Sequence, residues 1–190
     1  MKFNDYFPNV VVVNLDRRTD RLEAFDKQAK ELEITYERFP AVAMNDPVEG
    51  CRQSHIGVLS KYQKDPLFVF EDDALAVDDF YSKLTIAMQS LPDDWDMAYL
   101  GAHILKAEDH NEHWLKSHRA SSTHAYFIRG RARQKLLDGL KAHNGHADAA
   151  FSNVHKDMNV YVVKSTLFRQ APGYSDIQQN EVDYADFYKF

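Results

Sequence analysis

The chain has 190 residues, 44% hydrophobic and 13% aromatic, which is material for a packed core and excludes disordered, collagen-like and low-complexity classes. Its 23 Lys+Arg against 29 Asp+Glu give a formal charge of −6, which argues against nucleic acid as a partner, because phosphate neutralisation needs surplus Lys and Arg. No apolar run approaches the ~18–20 residues that span a bilayer, so any membrane contact would be peripheral, and the single cysteine, Cys51, cannot form an internal disulfide, which fits a cytoplasmic protein.

Val10 to Val13 is β-branched on both faces, the pattern of a strand covered on both sides. Leu22, Phe25, Ala29 and Leu32 then recur at helical spacing, with Thr19 or Asp20 as N-cap. Ile34 to Phe39 reads as a second strand stopped by Pro40, and Cys51, His55, Val58, Leu59 and Tyr62 form one helical stripe. Leu67 to Phe70 is a short buried strand, followed by a helix through Phe80, Leu84, Ala87, Met88 and Leu91 that Pro92 ends. Ala102 to Ser122 reads as one long polar loop, of the kind that forms functional lids. It lies between strands expected at Trp95 to Leu100 and Thr123 to Ile128. A helix through Ala132, Leu136, Leu137 and Leu140 follows, and strands at Val160 to Val163 and Leu167 to Arg169 are expected to close the sheet.

Strands alternating with helices predict an α/β fold with a mostly parallel central sheet and helices on both faces. We expect a single domain over 1–177 and an acidic, aromatic tail over 178–190. In such folds ligands collect beyond the carboxyl ends of the strands.

That edge is where the sharpest motif falls. Glu71-Asp72-Asp73 follows the buried strand directly; adjacent carboxylates repel, and a divalent cation relieves them, with oxygen ligands suiting Mg²⁺ or Mn²⁺. The alternative is a solvated acidic turn leading to the next helix, with Asp78 and Asp79 as that helix's cap. Arg17 and Arg21, after Asn14 at the end of the first strand, would grip a diphosphate or pair locally with Asp20 or Glu23. Ser54 and His55 are helix neighbours pointing ~100° apart, a poor nucleophile–base pair; His55 reads as a buried, hydrogen-bonded residue and Ser54 as lying near the ligand edge. The pairs His110/His113 and His143/His146 lack an accompanying cysteine and sit in polar sequence, which argues against structural zinc. One histidine joining the acidic cluster is the better metal reading. Asp148 is either a general base or the N-cap of a short helix. Arg129, Arg131, Arg133 and Lys135 read as a solvated helix face or an anion contact.

In chain order, the motifs Val13-Asn14-Leu15-Asp16-Arg17 with Arg21, Arg38-Phe39-Pro40-Ala41-Val42, Gly50-Cys51-Arg52-Gln53-Ser54-His55 and Val69-Phe70-Glu71-Asp72-Asp73-Ala74 come first. Trp95 to Gly101, Thr123 to Ile128, Asp148 and Gln170 to Ile177 follow. Together they resemble glycosyltransferase family 25, which includes lipooligosaccharide galactosyltransferases and procollagen galactosyltransferases. The resemblance runs from Val10 to Ile177. It implies a GT-A-like nucleotide-sugar-binding sandwich, a UDP-sugar donor, a glycan or lipid-linked saccharide acceptor, and Mn²⁺ or Mg²⁺ as cofactor. By that resemblance Glu71-Asp72-Asp73 is the DXD-like motif, Asp73 the direct metal ligand, and Glu71 or Asp72 a contact to metal or ribose. Asn14, Arg17, Arg21, Ser54 and Gln170 fall on the donor side. The family is grouped with inverting enzymes, and Asp148 takes the place of the base. The alternative is a non-catalytic nucleotide-sugar or glycan-binding module on the same fold.

Overall fold

The valines after Asn9 and the phenylalanines after Leu67 alternate between two apolar environments, and a sheet with a core on each face is the way to bury both sets. A computed structural model describes residues 1–184 and 186; 185 and 187–190, part of the expected tail, lie outside the described residues. In chain order the elements are α1 (Phe3–Tyr6), β1 (Asn9–Asn14), α2 (Thr19–Glu31), β2 (Glu37–Pro40), α3 (Pro47–Lys61), β3 (Leu67–Glu71), β4 (Ala74–Ala76), α4 (Phe80–Ser90) and β5 (Met97–Tyr99). The second half adds β6 (His103–Asp109), β7 (Trp114–Ser121), β8 (Ala125–Ile128), α5 (Gly130–Ala142), α6 (Ala147–Val154), β9 (Val160–Val163), β10 (Phe168–Gln170), β11 (Gly173–Ser175) and β12 (Asn180–Val182).

Among the described residues eight strands form one sheet in the order β2-β1-β3-β8-β5-β9-β7-β6. β7 and β8 run against the other six, so the sheet is mostly parallel in strand direction. The fold is α/β with both faces covered, as the alternating pattern predicts. One face packs Val10, Val12, Phe68, Phe70 and Phe127 against Phe3, Phe25 of α2 and Leu84 of α4. The other packs Val11, Val13, Val69 and Tyr126 against Leu59 of α3, Leu136 of α5 and Phe151 of α6. None of the described helices is long and apolar enough to cross a membrane.

Three expectations change. The segment Ala102 to Ser122 is no loop: β6 and β7 form an antiparallel hairpin at the sheet edge. Its register shifts between Ile104 and Ala107 break the period of two, and only Trp114, Ser117 and Ala120 of β7 are buried, so no alternation is visible in the sequence. The strand near Leu167 to Arg169 does not close the sheet; β10 pairs antiparallel with β4 in a separate ribbon. Neither Thr19 nor Asp20 caps α2, whose N-cap residue is Arg18. The hairpin β11–β12 straddles residue 177 and runs on into the expected tail.

Candidate active site

The parallel trio β2, β1 and β3 ends in Pro40, Asn14 and Glu71, so their carboxyl ends form one wall of a cleft of about 420 Å³. Such a volume holds a ligand of drug or nucleotide size. Arg17, Arg21, Ser54, His55, Glu71, Asp72, Asp73, Asp148 and Gln170 all line it. The sequence-predicted residues therefore meet in one place, with one difference in kind: Asn14 lies behind the lining, only 2% exposed. Its amide donates to Asp72 Oδ2 (2.7 Å) and to the Arg18 carbonyl (3.0 Å), and its oxygen accepts from Arg38 Nε (2.9 Å). It positions Asp72.

The carboxylates have distinct surroundings. Glu71 Oε1 accepts from Thr123 Oγ1 (2.5 Å) and lies 3.2 Å from His55 Nε2. Burial raises the Glu71 pKa, but the bonds and charge from His55 and the Thr123 hydroxyl outweigh it, leaving the group below its ordinary value. Asp72 is pushed up by burial despite Arg21 and Asn14. Asp73 is pushed well above the usual carboxylate range, first by burial and then by the charge of Glu71, with Arg21 opposing. Arg21 Nη1 reaches Asp72 Oδ1 at 3.1 Å and Asp73 Oδ2 at 3.4 Å. Gln170 also bonds the Asp73 carboxylate, yet its buried Oδ1 has no donor in hydrogen-bonding geometry. A buried, unsatisfied acceptor among like charges is costly. A hard divalent cation beside Asp73 Oδ1 would satisfy that oxygen and supply the missing charge, although the three acids do not themselves bring ligand atoms within 4.8 Å of one another.

Ser54 is spent on structure. Its hydroxyl donates to the Gly50 carbonyl (2.7 Å) and accepts from Val42 N (2.8 Å), tying α3 to the cleft wall. Gly50 is required there, because a Cβ would stand 2.6 Å from the Val42 carbonyl. His55 is buried, as its place on the apolar stripe predicts, with Nδ1 3.0 Å from the Tyr126 hydroxyl. Cys51, His55 and Glu71 bring ligand atoms within 4.8 Å of one another, the one such group among the described residues; the two H-x-x-H pairs form none.

Asp148 sits in the first turn of α6, one residue after the helix start, with His146 at the N-cap position. Its Oδ1 accepts from Ala149 N (2.7 Å) and its Oδ2 from Ser122 N (3.1 Å), which fixes the carboxylate at the cleft. Neither Arg17 nor Arg21 pairs with Asp20 or Glu23. Arg17 Nη2 reaches Asp176 Oδ1 at 2.7 Å, and Arg21 Nη2 bonds the Tyr174 carbonyl at 2.8 Å. The basic run on α5 is also absorbed structurally: Arg131 bonds Asp96, Arg133 the Tyr62 carbonyl and Lys135 the Asp157 carbonyl, while Arg129 stacks on Trp95.

Sequence reasoning missed Thr123 and the His55–Glu71 contact. The pairing of Asp176 with Arg17 and Arg18 has no local signal either, since the partners lie 159 and 158 residues apart.

No family model and no curated protein matches the sequence. Among solved structures, A197 from STIV is similar at 13% identity and TM-score 0.47, over 92% of this chain and 93% of that one. The glycosyltransferase GlyE of Streptococcus pneumoniae TIGR4 is similar at 9% identity and TM-score 0.44, over 81% of this chain and 45% of that one. UDP-glucose pyrophosphorylase from Acinetobacter baumanii is similar at 10% identity and TM-score 0.43, over 81% and 68%. The functional reading rests on the site's own residues.

Proposed function

We propose that the protein is a metal-dependent, inverting glycosyltransferase on a GT-A-like fold. It moves a hexose, galactose in our reading, from a UDP-sugar to a hydroxyl of a saccharide or of a lipid-linked saccharide such as lipooligosaccharide. The observation that carries the reading is the orphaned, buried Asp73 Oδ1, in one cleft with Glu71, Arg17, Arg21 and the fixed carboxylate of Asp148. Asp73 and Glu71 would hold Mn²⁺ or Mg²⁺, which supplies positive charge against the diphosphate as it leaves. Asp148 takes the proton of the acceptor hydroxyl while that oxygen attacks the anomeric carbon and the sugar–phosphate bond breaks on the opposite side. Arg17 and Arg21 favour the departing anion from the donor side.

The test is UDP release from a panel of UDP-sugars, with Mn²⁺ and then with chelator. We expect turnover that chelator abolishes. In Asp148→Asn it falls by about 10²–10⁴-fold with UDP affinity nearly unchanged. Turnover indifferent to both chelator and Asp148→Asn overturns the mechanism. UDP binding without turnover on any acceptor supports the binding-module reading. One observation favours that alternative: each Asp148 oxygen already accepts a backbone hydrogen bond.

A further inference from the structure

Residues 173–184 cover the cleft, yet none of them is buried. Ser175, Asp176, Ile177, Val182 and Tyr184 line it from this side. The hairpin β11–β12 thus adds nothing to either core, and polar bonds attach it to the body. Arg17 Nη2 reaches Asp176 Oδ1 at 2.7 Å and Arg18 Nη1 reaches Asp176 Oδ2 at 2.5 Å. Arg18 and Arg21 also donate to the Tyr174 carbonyl, at 3.4 and 2.8 Å. A segment held this way opens at far lower free energy than core elements do. It begins at Gly173, whose φ of +145° is accessible to glycine and whose Cα faces open space, so the backbone there can turn without a clash.

The clasp has the chemistry of an anion site already filled. One carboxylate bridges two guanidiniums through its two oxygens, which is also how a phosphate group is gripped. Arg18 is pre-oriented for this: Asp20 takes its other edge, at 3.0 Å from Nε and 2.8 Å from Nη2, leaving Nη1 for Asp176. Arg17 is 57% exposed at its side chain and lines the cleft, so its guanidinium can turn from Asp176 to a ligand. Charge favours the exchange. Among the cleft-lining residues Glu71, Asp72, Asp73, Asp148 and Asp176 outnumber Arg17 and Arg21, and Arg18 reaches the cleft only through Asp176. A diphosphate entering beside the Asp176 carboxylate would meet repulsion.

Building on the donor reading, we propose that Asp176 is an internal competitor for the diphosphate. Its carboxylate fills the Arg17–Arg18 pair in the empty cleft, and the hairpin swings out about Gly173 when a diphosphate takes that pair. Ligand affinity is then lowered by the fraction of molecules with the clasp shut.

The experiment is calorimetric titration with UDP and with inorganic pyrophosphate, Mn²⁺ present, on the full chain and on Asp176→Asn, Arg17→Ala and Arg18→Ala. Asp176→Asn keeps the shape and removes the charge. We expect it to bind both probes roughly tenfold more tightly, and Arg17→Ala to bind them more weakly than the native chain. Hydrogen exchange over 173–182 rises when pyrophosphate binds the native chain. Unchanged or weaker binding by Asp176→Asn, with the native chain still binding UDP, overturns this inference and leaves the donor reading standing. If neither the native chain nor Asp176→Asn binds UDP or pyrophosphate, the donor reading falls with it.

Discussion

The floor and the roof of the cleft are built on opposite principles. The floor is the carboxyl edge of β1 and β3, whose Val10 to Val13 and Leu67 to Phe70 are buried on both faces. The roof is the hairpin β11–β12, without a buried residue and fastened through Asp176 and the Tyr174 carbonyl. A catalytic group must be held within a fraction of an ångström to act, which needs rigid support. A cover must release its ligand, which needs a segment that opens cheaply. Aromatic residues occur in both regions, so single substitutions can break or sharpen the contrast.

The largest effect belongs under the floor. Phe70 is 0% exposed, two residues before Asp72, with ring contacts to Phe3, Phe25, Phe68 and Phe168 at 4.4–5.7 Å. Phe70→Ala removes a ring from a close-packed cluster and should cost about 3–5 kcal/mol. A chemical-denaturation midpoint at pH 7 reads it. A loss below ~1 kcal/mol would mean that the floor is no more rigid than the roof.

Much of that floor is legible in sequence. Four apolar residues followed by three acids announce a buried strand delivering carboxylates to a ligand edge, and the structure puts Glu71, Asp72 and Asp73 there. Helical stripes through Phe25, Leu59 and Leu84 are local periodicities, and they too survive folding. What cannot be read is partnership across the chain. Asn14 finds Asp72 58 residues away, His55 finds Glu71 16 away, and Arg17 finds Asp176 159 away. No spacing rule links such pairs. The hairpin β6–β7 escapes for another reason: the edge strand β6 has no buried residue and β7 buries Trp114, Ser117 and Ala120 at every third position, so burial leaves no alternating trace. Asp148 shows the limit most clearly: a short helix there is legible, but its N-cap is His146 rather than Asp148, and the bond from Ser122 N that fixes the carboxylate leaves no local signal.

An intermediate effect tests whether the body's rigidity reaches beyond the cleft. His155 is 1% exposed, with Nε2 3.1 Å from the Tyr99 hydroxyl of β5 and Nδ1 3.4 Å from Ser117 Oγ of β7. Burial holds its pKa down at about 4, against 6.5 when unfolded. The unfolded chain therefore binds the proton more readily. The contribution is full above pH 6.5 and is lost as pH falls toward 4, reaching about 2 kcal/mol by pH 5. His155→Gln should show about that much less destabilisation than the native chain between pH 7 and pH 5. Equal pH dependence in the two proteins would mean that His155 accepts its proton without unfolding, and that this part of the body is soft.

The smallest effect belongs on the roof. Tyr174 is an aromatic residue in a strand, like Phe70, but it is 46% exposed and its fastening to Arg21 and Arg18 runs through the backbone carbonyl. Removing the ring therefore leaves those hydrogen bonds in place and opens no cavity. Tyr174→Ala should change global stability by less than about 0.5 kcal/mol. Local opening is a separate quantity: where a segment opens below the global transition, its amide exchange reports its own fastening and is indifferent to core packing. Exchange over 173–182 should accordingly stay faster than over β3 in Tyr174→Ala, in Phe70→Ala and in the native chain alike. A global loss near that of Phe70→Ala would show that the ring packs as part of the core, and the division between a rigid floor and a polar-fastened roof would be wrong.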